Sequence, residues 1–242
     1  MARQETAKTI INRTAAELAI AASTDPYSSS DELFTQLTSL LNTAGQELVE
    51  LHPWQVLRKE LSFVTNAAVD TGTYDLPSDF GYMIDQTGWD QTNNVPIGGP
   101  LTAQAWSYLE GRGLTSSTIY ASFRLAENKL DIYPQPPPNA LTIRFEYISR
   151  DWAKDAGGTS KDWTDVQSDI VLLDPLLVRK FLKVKFLDAK GMDASSARMD
   201  LENIFNSRIG KDTGSSILSA SNGGHSMPYL SGYNIADSGY GS

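Results

Sequence analysis

Residues 119–152 read IYASFRLAENKLDIYPQPPPNALTIRFEYISRDW, and they decide the fold. Ile119, Ala121, Phe123 and Leu125 alternate with Tyr120, Ser122 and Arg124. Leu130 and Ile132 continue the pattern before Pro134. Leu141, Ile143, Phe145 and Tyr147 then alternate with Thr142, Arg144 and Glu146. A period of two places each set on one face of a sheet, so the three runs predict half-buried strands. Ala126-Glu127-Asn128-Lys129 supplies a hairpin turn in which Asn128 tolerates a left-handed conformation. The proline-rich connection from Pro134 to Asn139 lacks the N–H donors to extend a ladder, so it separates the second run from the third. The reading is a three-stranded antiparallel meander with one apolar face.

Helices are expected to cover that face. Residues 6–22 carry Ile11, Ala15, Leu18 and Ala22 at helical spacing, and Asp25-Pro26 ends the helix. Ser29 and Glu32 have capping-box spacing at the head of a second helix. Its stripe is Leu33, Leu37, Leu40, Ala44, Leu48 and Leu51. Short strands are expected near Leu61–Val64 and Thr73–Pro77, a loop over 86–100, and a short helix over 101–110 stopped by Gly111-Arg112-Gly113. After Trp152, residues 153–169 are polar and contain Gly157-Gly158, the pattern of a mobile surface loop. Asp174-Pro175 opens a third long helix with an acidic cap and Pro at the first helical position, and Gly191 closes it. Asp193 caps a last helix carrying Ala197, Leu201, Ile204 and Ile209.

The predicted class is therefore α+β: a four-helix bundle-like α domain with an inserted antiparallel β meander and a flexible C-terminal tail. The expected units are an N-terminal helical hairpin (6–57), a β-rich domain (58–152), a surface loop (153–170), a C-terminal helical pair packed on the first helices (171–210) and the tail (211–242). That tail is rich in Ser and Gly, yet holds Met227, Tyr229, Leu230, Tyr233, Ile235 and Tyr240. It reads either as a disordered end or as a segment that folds onto a partner. Its roughly 32 residues reach about 30 Å as a coil and about 105 Å fully extended.

Composition narrows the function. The chain has 242 residues, 40% of them hydrophobic, enough for a sizeable core. A net charge of −9 argues against a protein whose main task is gripping phosphate backbones, which makes a nucleic-acid-binding module the weakest reading. With no cysteine, disulfides, thiolate metal sites and cysteine nucleophiles are excluded. No run approaches the ~18 apolar residues of a membrane span. Lys8, Arg13 and Glu17 interrupt the N-terminal segment, so it does not read as a secretory leader, and a cytoplasm-like setting is expected.

No catalytic, cofactor or metal site is expected. His52 and His225 are the only histidines, and neither has a placed nucleophile or acid. Gly98-Gly99-Pro100 and Gly111-Arg112-Gly113 lack the features of phosphate cradles. Asn12-Arg13-Thr14 matches a glycosylation triplet but falls on a predicted helix. Paired carboxylates, from Glu110, Glu146 and the aspartates of 151–169, keep open an alternative: a carboxylate-based peptidoglycan hydrolase. With 29 acids in the chain, however, some pairing is inevitable.

Arg179, Lys183 and Lys190 lie on one face of the third long helix, beside Lys180 and Lys185. They read as a solvated surface or as a cationic interface for an acidic partner, a second copy of the chain among them. Trp54, Trp89, Trp106, Trp152 and Trp163 suit core or interface better than a ligand platform, although Trp89 and Trp163 fall in expected loops.

The order TAKTIINRTAAEL, a leucine-striped helix, YDLPSDF, FRLAENKLDIYPQPPPNALTIRFEYISRDW and LLDPLLVRKFLKVKFLDAKG resembles the head-to-tail adaptors of short-tailed bacteriophages. These are the P22-like head-completion proteins, with the tail tubular A type a more distant relative. The resemblance covers roughly residues 6–210. It implies a structural protein, not an enzyme, at the head–tail junction of the virion, with no cofactor. It implies a homo-oligomeric ring, expected to be twelve-fold, attached beneath the portal protein and offering its lower rim to the tail nozzle. DNA would pass through that ring without sequence-specific binding. On this reading Arg179, Lys183, Lys190 and the tail residues Met227, Tyr229, Leu230, Tyr233, Ile235 and Tyr240 serve portal or subunit contacts. Trp89, Asp155, Asp162, Trp163 and Asp165 serve subunit or nozzle contacts.

Overall fold

The computed structural model describes residues 4–66, 71–112, 121–137 and 140–212. In chain order the elements are β1 (Glu5–Thr6), α1 (Ala7–Glu17), α2 (Glu32–Leu51), a 3₁₀ turn (Gln55–Leu57), β2 (Arg58–Val64), β3 (Thr73–Asp75), β4 (Phe80–Met83), β5 (Trp89–Asp90) and β6 (Val95–Pro96). There follow α3 (Ala103–Arg112), β7 (Ser122–Ala126), β8 (Lys129–Tyr133), β9 (Thr142–Ser149), β10 (Ala153–Lys154), β11 (Ser160–Lys161), β12 (Ile170–Val171), α4 (Pro175–Ala189) and α5 (Ser195–Asp212).

Among the described residues, five α-helices and three antiparallel sheets replace the expected four-helix bundle with one inserted meander. The hairpin β7–β8 forms as its alternation predicts, with Phe123 opposite Ile132 and Leu125 opposite Leu130. Its turn places both Glu127 (φ 53°) and Asn128 (φ 59°) in the left-handed region, the signature of a type I′ turn. The third run leaves the meander. Pro134, Pro136 and Pro137 follow β8 directly and offer no N–H groups for a ladder. β9 pairs instead with β2 through seven register positions, Arg58↔Ile148 to Val64↔Thr142, while β3 takes the free side of β8.

Two sheets therefore face each other where one sheet under helices was expected. Leu141 and, on β9, Ile143, Phe145 and Tyr147 share a core with Phe123, Leu130 and Ile132 of the opposite sheet. This second sheet, in order β2-β9-β5-β6 with β4 also on β9, draws its last strands from 80–83 and 86–100. The expected loop over 86–100 thus contains β5 and β6, because Trp89 and Asp90 find partners across β9 at Arg144 and Ile143.

The helices build a separate core. α4 lies in contact with α1, α2 and α5, which explains why it buries Leu177, Val178, Leu182, Val184 and Phe186 rather than one narrow stripe. Its start follows expectation: the Asp174 carboxylate accepts from the N–H groups of Leu176 and Leu177, both at 3.1 Å. α2 is capped by Asp31, not Ser29, through its carboxylate on Leu33 N at 2.9 Å. α1 stops at Glu17, short of Asp25-Pro26, and Ala19 turns left-handed (φ 58°). α3 runs through Gly111 to Arg112.

Residues 153–170 are likewise not the mobile loop expected. β10, β11 and β12 form a four-stranded sheet with β1, in the order β1-β12-β10-β11. Asn42 of α2 clamps this segment at Thr164, donating from Nδ2 to the carbonyl at 3.0 Å and accepting from the N–H at 2.7 Å. The Tyr27 hydroxyl donates to Thr164 Oγ1 at 2.6 Å. The buried Asp169 carboxylate accepts from the N–H groups of Asp165 (2.9 Å) and Val166 (3.2 Å) and sits 3.4 Å from Lys161 Nζ. The polar run folds because its aspartates satisfy its own backbone.

One close contact fixes the end of β9 on the helical core. Trp152, fully buried between β9 and β10, lies flat on α2 at Gly45, and its Nε1 donates to the carbonyl of Asp162 at 2.7 Å. A Cβ at Gly45 would overlap the indole ring. Gly45→Ala should therefore lower unfolding stability by about 1–3 kcal/mol despite its better helix propensity. Chemical denaturation measures this, and a stabilised variant would show that the indole has room to move.

Candidate docking surfaces

The basic face of α4 is made by the helix repeat, and the sequence expectation located its cations. The structure adds the counter-charge that expectation lacked. Glu17, the last residue of α1, stands 3.3 Å from Lys183, 3.8 Å from Lys180 and 4.0 Å from Arg179. Lys180 also reaches Asp200 of α5 at 3.4 Å, and Lys185 reaches Glu47 of α2 at 2.6 Å. These cations stitch α4 to its three neighbours, and the Arg179–Lys180–Lys183 cluster keeps more positive than negative charge. Lys190, the C-cap, lies apart, its ammonium 5.6 Å from the Phe186 ring. Glu17 carried no signal in the sequence beyond interrupting an apolar run.

The acidic segment presents a second surface. Asp155 closes a turn by accepting from Thr159 N at 2.8 Å, and that backbone bond heads the causes holding its carboxyl below the ordinary value. Asp165 lies 2.5 Å from Lys161, whose hydrogen bond lowers the Asp165 carboxyl and raises the lysine in return. Asp162 is 3.9 Å from Arg150, and Trp163 beside it is 52% exposed. Asp162 and Arg150 also line a groove of about 460 Å³ with Gln46, Val49, Glu50 and Leu51 of α2.

Trp89 marks a third surface, on the outer face of the sheet. It is 37% exposed and lines a groove of about 570 Å³ with Thr87, Gln91, Asn94, Arg144 and Glu146. Ion pairs rim this face, Arg144–Glu60 at 2.6 Å and Arg58–Glu146 at 3.6 Å. Trp54, Trp106 and Trp152 are buried, so the two tryptophans in expected loops are the two that reach solvent.

The remaining candidates have structural partners. His52 is buried at the end of α2, with Nε2 3.2 Å from Asp212 of α5 and its ring edge-on to Trp54. Glu110 accepts from Trp106 Nε1 at 2.7 Å, and Glu146 pairs with Arg58. Asp79 accepts from Lys59 Nζ (2.6 Å), Ser149 Oγ (2.7 Å) and Tyr147 OH (3.1 Å). Burial alone raises the Asp79 carboxyl, but the Lys59 and Ser149 hydrogen bonds and the Lys59 charge outweigh it and leave it below the ordinary value. Burial, then the Asp79 charge, pushes the Tyr147 hydroxyl up to about 12, so it stays a donor. With its oxygens so engaged, Asp79 is a knot between β2, β4 and β9 rather than a poised base. Among the described residues no cluster of His, Cys, Asp and Glu could hold a metal ion, and no helix is long and apolar enough to cross a membrane. Met227, Tyr229, Leu230, Tyr233, Ile235 and Tyr240 lie outside the described residues.

A family model described as SU10 adaptor protein matches residues 5–224. The chain belongs to the SU10 adaptor protein family. The match takes in every described element from β1 to α5, so both cores and all three surfaces belong to the adaptor body. The family is one of phage head–tail adaptors, structural proteins of the virion, and the earlier resemblance is met at that level. The chain has no match among curated proteins.

Asp151 supplies a pH test of the adaptor's acidic side. Burial, then the neighbouring Asp79 charge, raises its carboxyl above the ordinary value. The folded state thus holds the Asp151 proton more tightly than the unfolded state, and this site loses stability as pH rises from the ordinary carboxylate range through the raised value. Asp151→Asn should raise the melting temperature at pH 7, with the gain shrinking towards pH 3.5. A gain independent of pH would contradict the assignment.

Proposed function

We propose that this adaptor forms a homo-oligomeric ring of twelve copies beneath the portal protein of a short-tailed phage. The ring seals the DNA channel after packaging and gives the tail nozzle its attachment site. The observation that carries the reading is the family match across residues 5–224, in a body whose acidic candidates are held in structural bonds.

A ring requires two different faces on each subunit that complement one another. The cationic cluster of Arg179 and Lys183, with Lys190 beyond it, supplies one sign. The segment bearing Asp155, Asp162 and Asp165 supplies the other, and Trp163 adds exposed apolar area beside it. Trp89 on the outer sheet face is the contact offered to the nozzle or to a neighbouring subunit. The C-terminal residues Met227, Tyr229, Leu230, Tyr233, Ile235 and Tyr240 serve the portal or subunit joint, since neutral aromatic and aliphatic chain gains most by burial. A net charge of −9 suits a conduit, because walls that repel phosphate let DNA slide without sequence-specific grip.

Mixing the purified chain with portal rings and imaging the product by electron microscopy tests this. The expected particle is the portal with one added ring of twelve subunits on its tail-side rim. Portal rings left bare at micromolar adaptor would overturn the proposal.

A further inference from the structure

The leucine stripe of α2 predicts Leu51 inward, yet Leu51 is 56% exposed while Leu48 and Val49 beside it are buried. It is the last residue of the helix, and the chain turns away from it through His52 to an exposed Pro53. Tyr82 of β4 is 39% exposed. Burial, then the charge of Glu50, holds the Tyr82 hydroxyl above its ordinary value, so Glu50 stands near Tyr82 as well as next to Leu51. Pro53 and Tyr82 share a groove of about 570 Å³, and Val49, Glu50 and Leu51 line the groove of about 460 Å³. Two grooves thus flank one apolar ridge made by Leu51, Pro53 and Tyr82.

Carboxylates rim the ridge, and most of them are engaged within the chain. Glu47 is answered by Lys185 at 2.6 Å, and Asp212 accepts from Gln55 N at 3.0 Å beside His52. The cations of the grooves are answered too, Arg58 by Glu146 at 3.6 Å and Arg150 by Asp162 at 3.9 Å. Glu50 and Asp85 differ. Both are exposed, one beside each groove, and neither has an ion pair among the described residues. Negative charge without an answer therefore borders an apolar surface, and a partner must match both features to bury the ridge.

We infer that the ridge of Leu51, Pro53 and Tyr82 docks a segment of another protein in which apolar side chains are flanked by lysine or arginine. Charge complementarity selects this occupant over the two nearer at hand. A second copy brings the same net charge of −9. The chain's own residues 213–242 contain no lysine or arginine to meet Glu50 and Asp85. A basic segment of a different protein supplies cations for both carboxylates while its apolar side chains fill the grooves between them. The inference does not depend on ring formation, and it uses none of the side chains assigned above to the subunit, portal or nozzle joints.

NMR titration of the full-length chain with an amphipathic helical peptide of leucine and lysine tests it, beside a twin peptide carrying glutamate for lysine. The lysine peptide should shift the amides of Glu50, Leu51, Tyr82 and Asp85, and the glutamate twin should leave them in place. The double variant Glu50→Lys/Asp85→Lys, at two exposed positions, should bind the lysine peptide about tenfold or more weakly. Leu51→Ser should weaken it as well, with the charge unchanged. Shifts centred on other acidic segments overturn the inference, as does equal affinity of the double variant or of the glutamate twin. So do shifts of these four amides that grow with protein concentration alone, which would assign the ridge to a second copy.

Discussion

The seat of Trp152 on Gly45 is the constraint from which the rest of the architecture follows. β9 is shared by two cores: its odd residues fill the sandwich, and Ile148 at its end enters the helical core. The chain must then turn from sheet to helix layer without leaving a void, and the indole fills that corner. Only a glycine on α2 admits a ring at such close range, and the Asp162 carbonyl accepts the indole N–H. Fixing Asp162 fixes the polar segment after it, which Asn42 then holds to the same helix. Sheet, helix and acidic surface are positioned by one aromatic contact with polar satisfaction at its edge.

Charge is organised on the same plan. An acidic chain that kept its few cations on the surface would offer them to any anion. Here Lys180, Lys183 and Arg179 converge on Glu17, and Lys161 lies between Asp165 and Asp169. Half-exposed pairs of this kind contribute about 0–1 kcal/mol each, so their role is alignment more than stability. They fix α4 against α1, α2 and α5. The residual positive charge near Arg179 and the negative charge from Asp155 to Asp165 sit on separate elements.

Local features were legible in the sequence where the deciding groups are neighbours. The β7–β8 hairpin followed from alternation around Glu127-Asn128, the start of α4 from Asp174-Pro175, and its end from Gly191. Partners distant in the chain were not. Nothing in LTIRFEYIS says that its partner is RKELSFV, some eighty residues earlier, and β strands of matching pattern pair equally well on paper. The stretch 153–170 looked mobile because its acids were read as solvated. Asp169 is instead buried, because Lys161 and two backbone N–H groups face it once the segment folds. The cations of α4 could be read from the helix repeat, but the Glu17 that pairs with Lys183 lies more than 160 residues away. Trp89 and Trp163 stood out because tryptophan outside a periodic element has no core to enter.

The central claim is mechanical: a body of two cores that share β9, its end seated on α2 through Trp152, is a structural adaptor between the head and the tail of a virion. Electron microscopy of particles assembled without this protein addresses it most directly. The account predicts heads that package DNA but lack tails and lose their genomes. Tailed particles that retain DNA in its absence would contradict it.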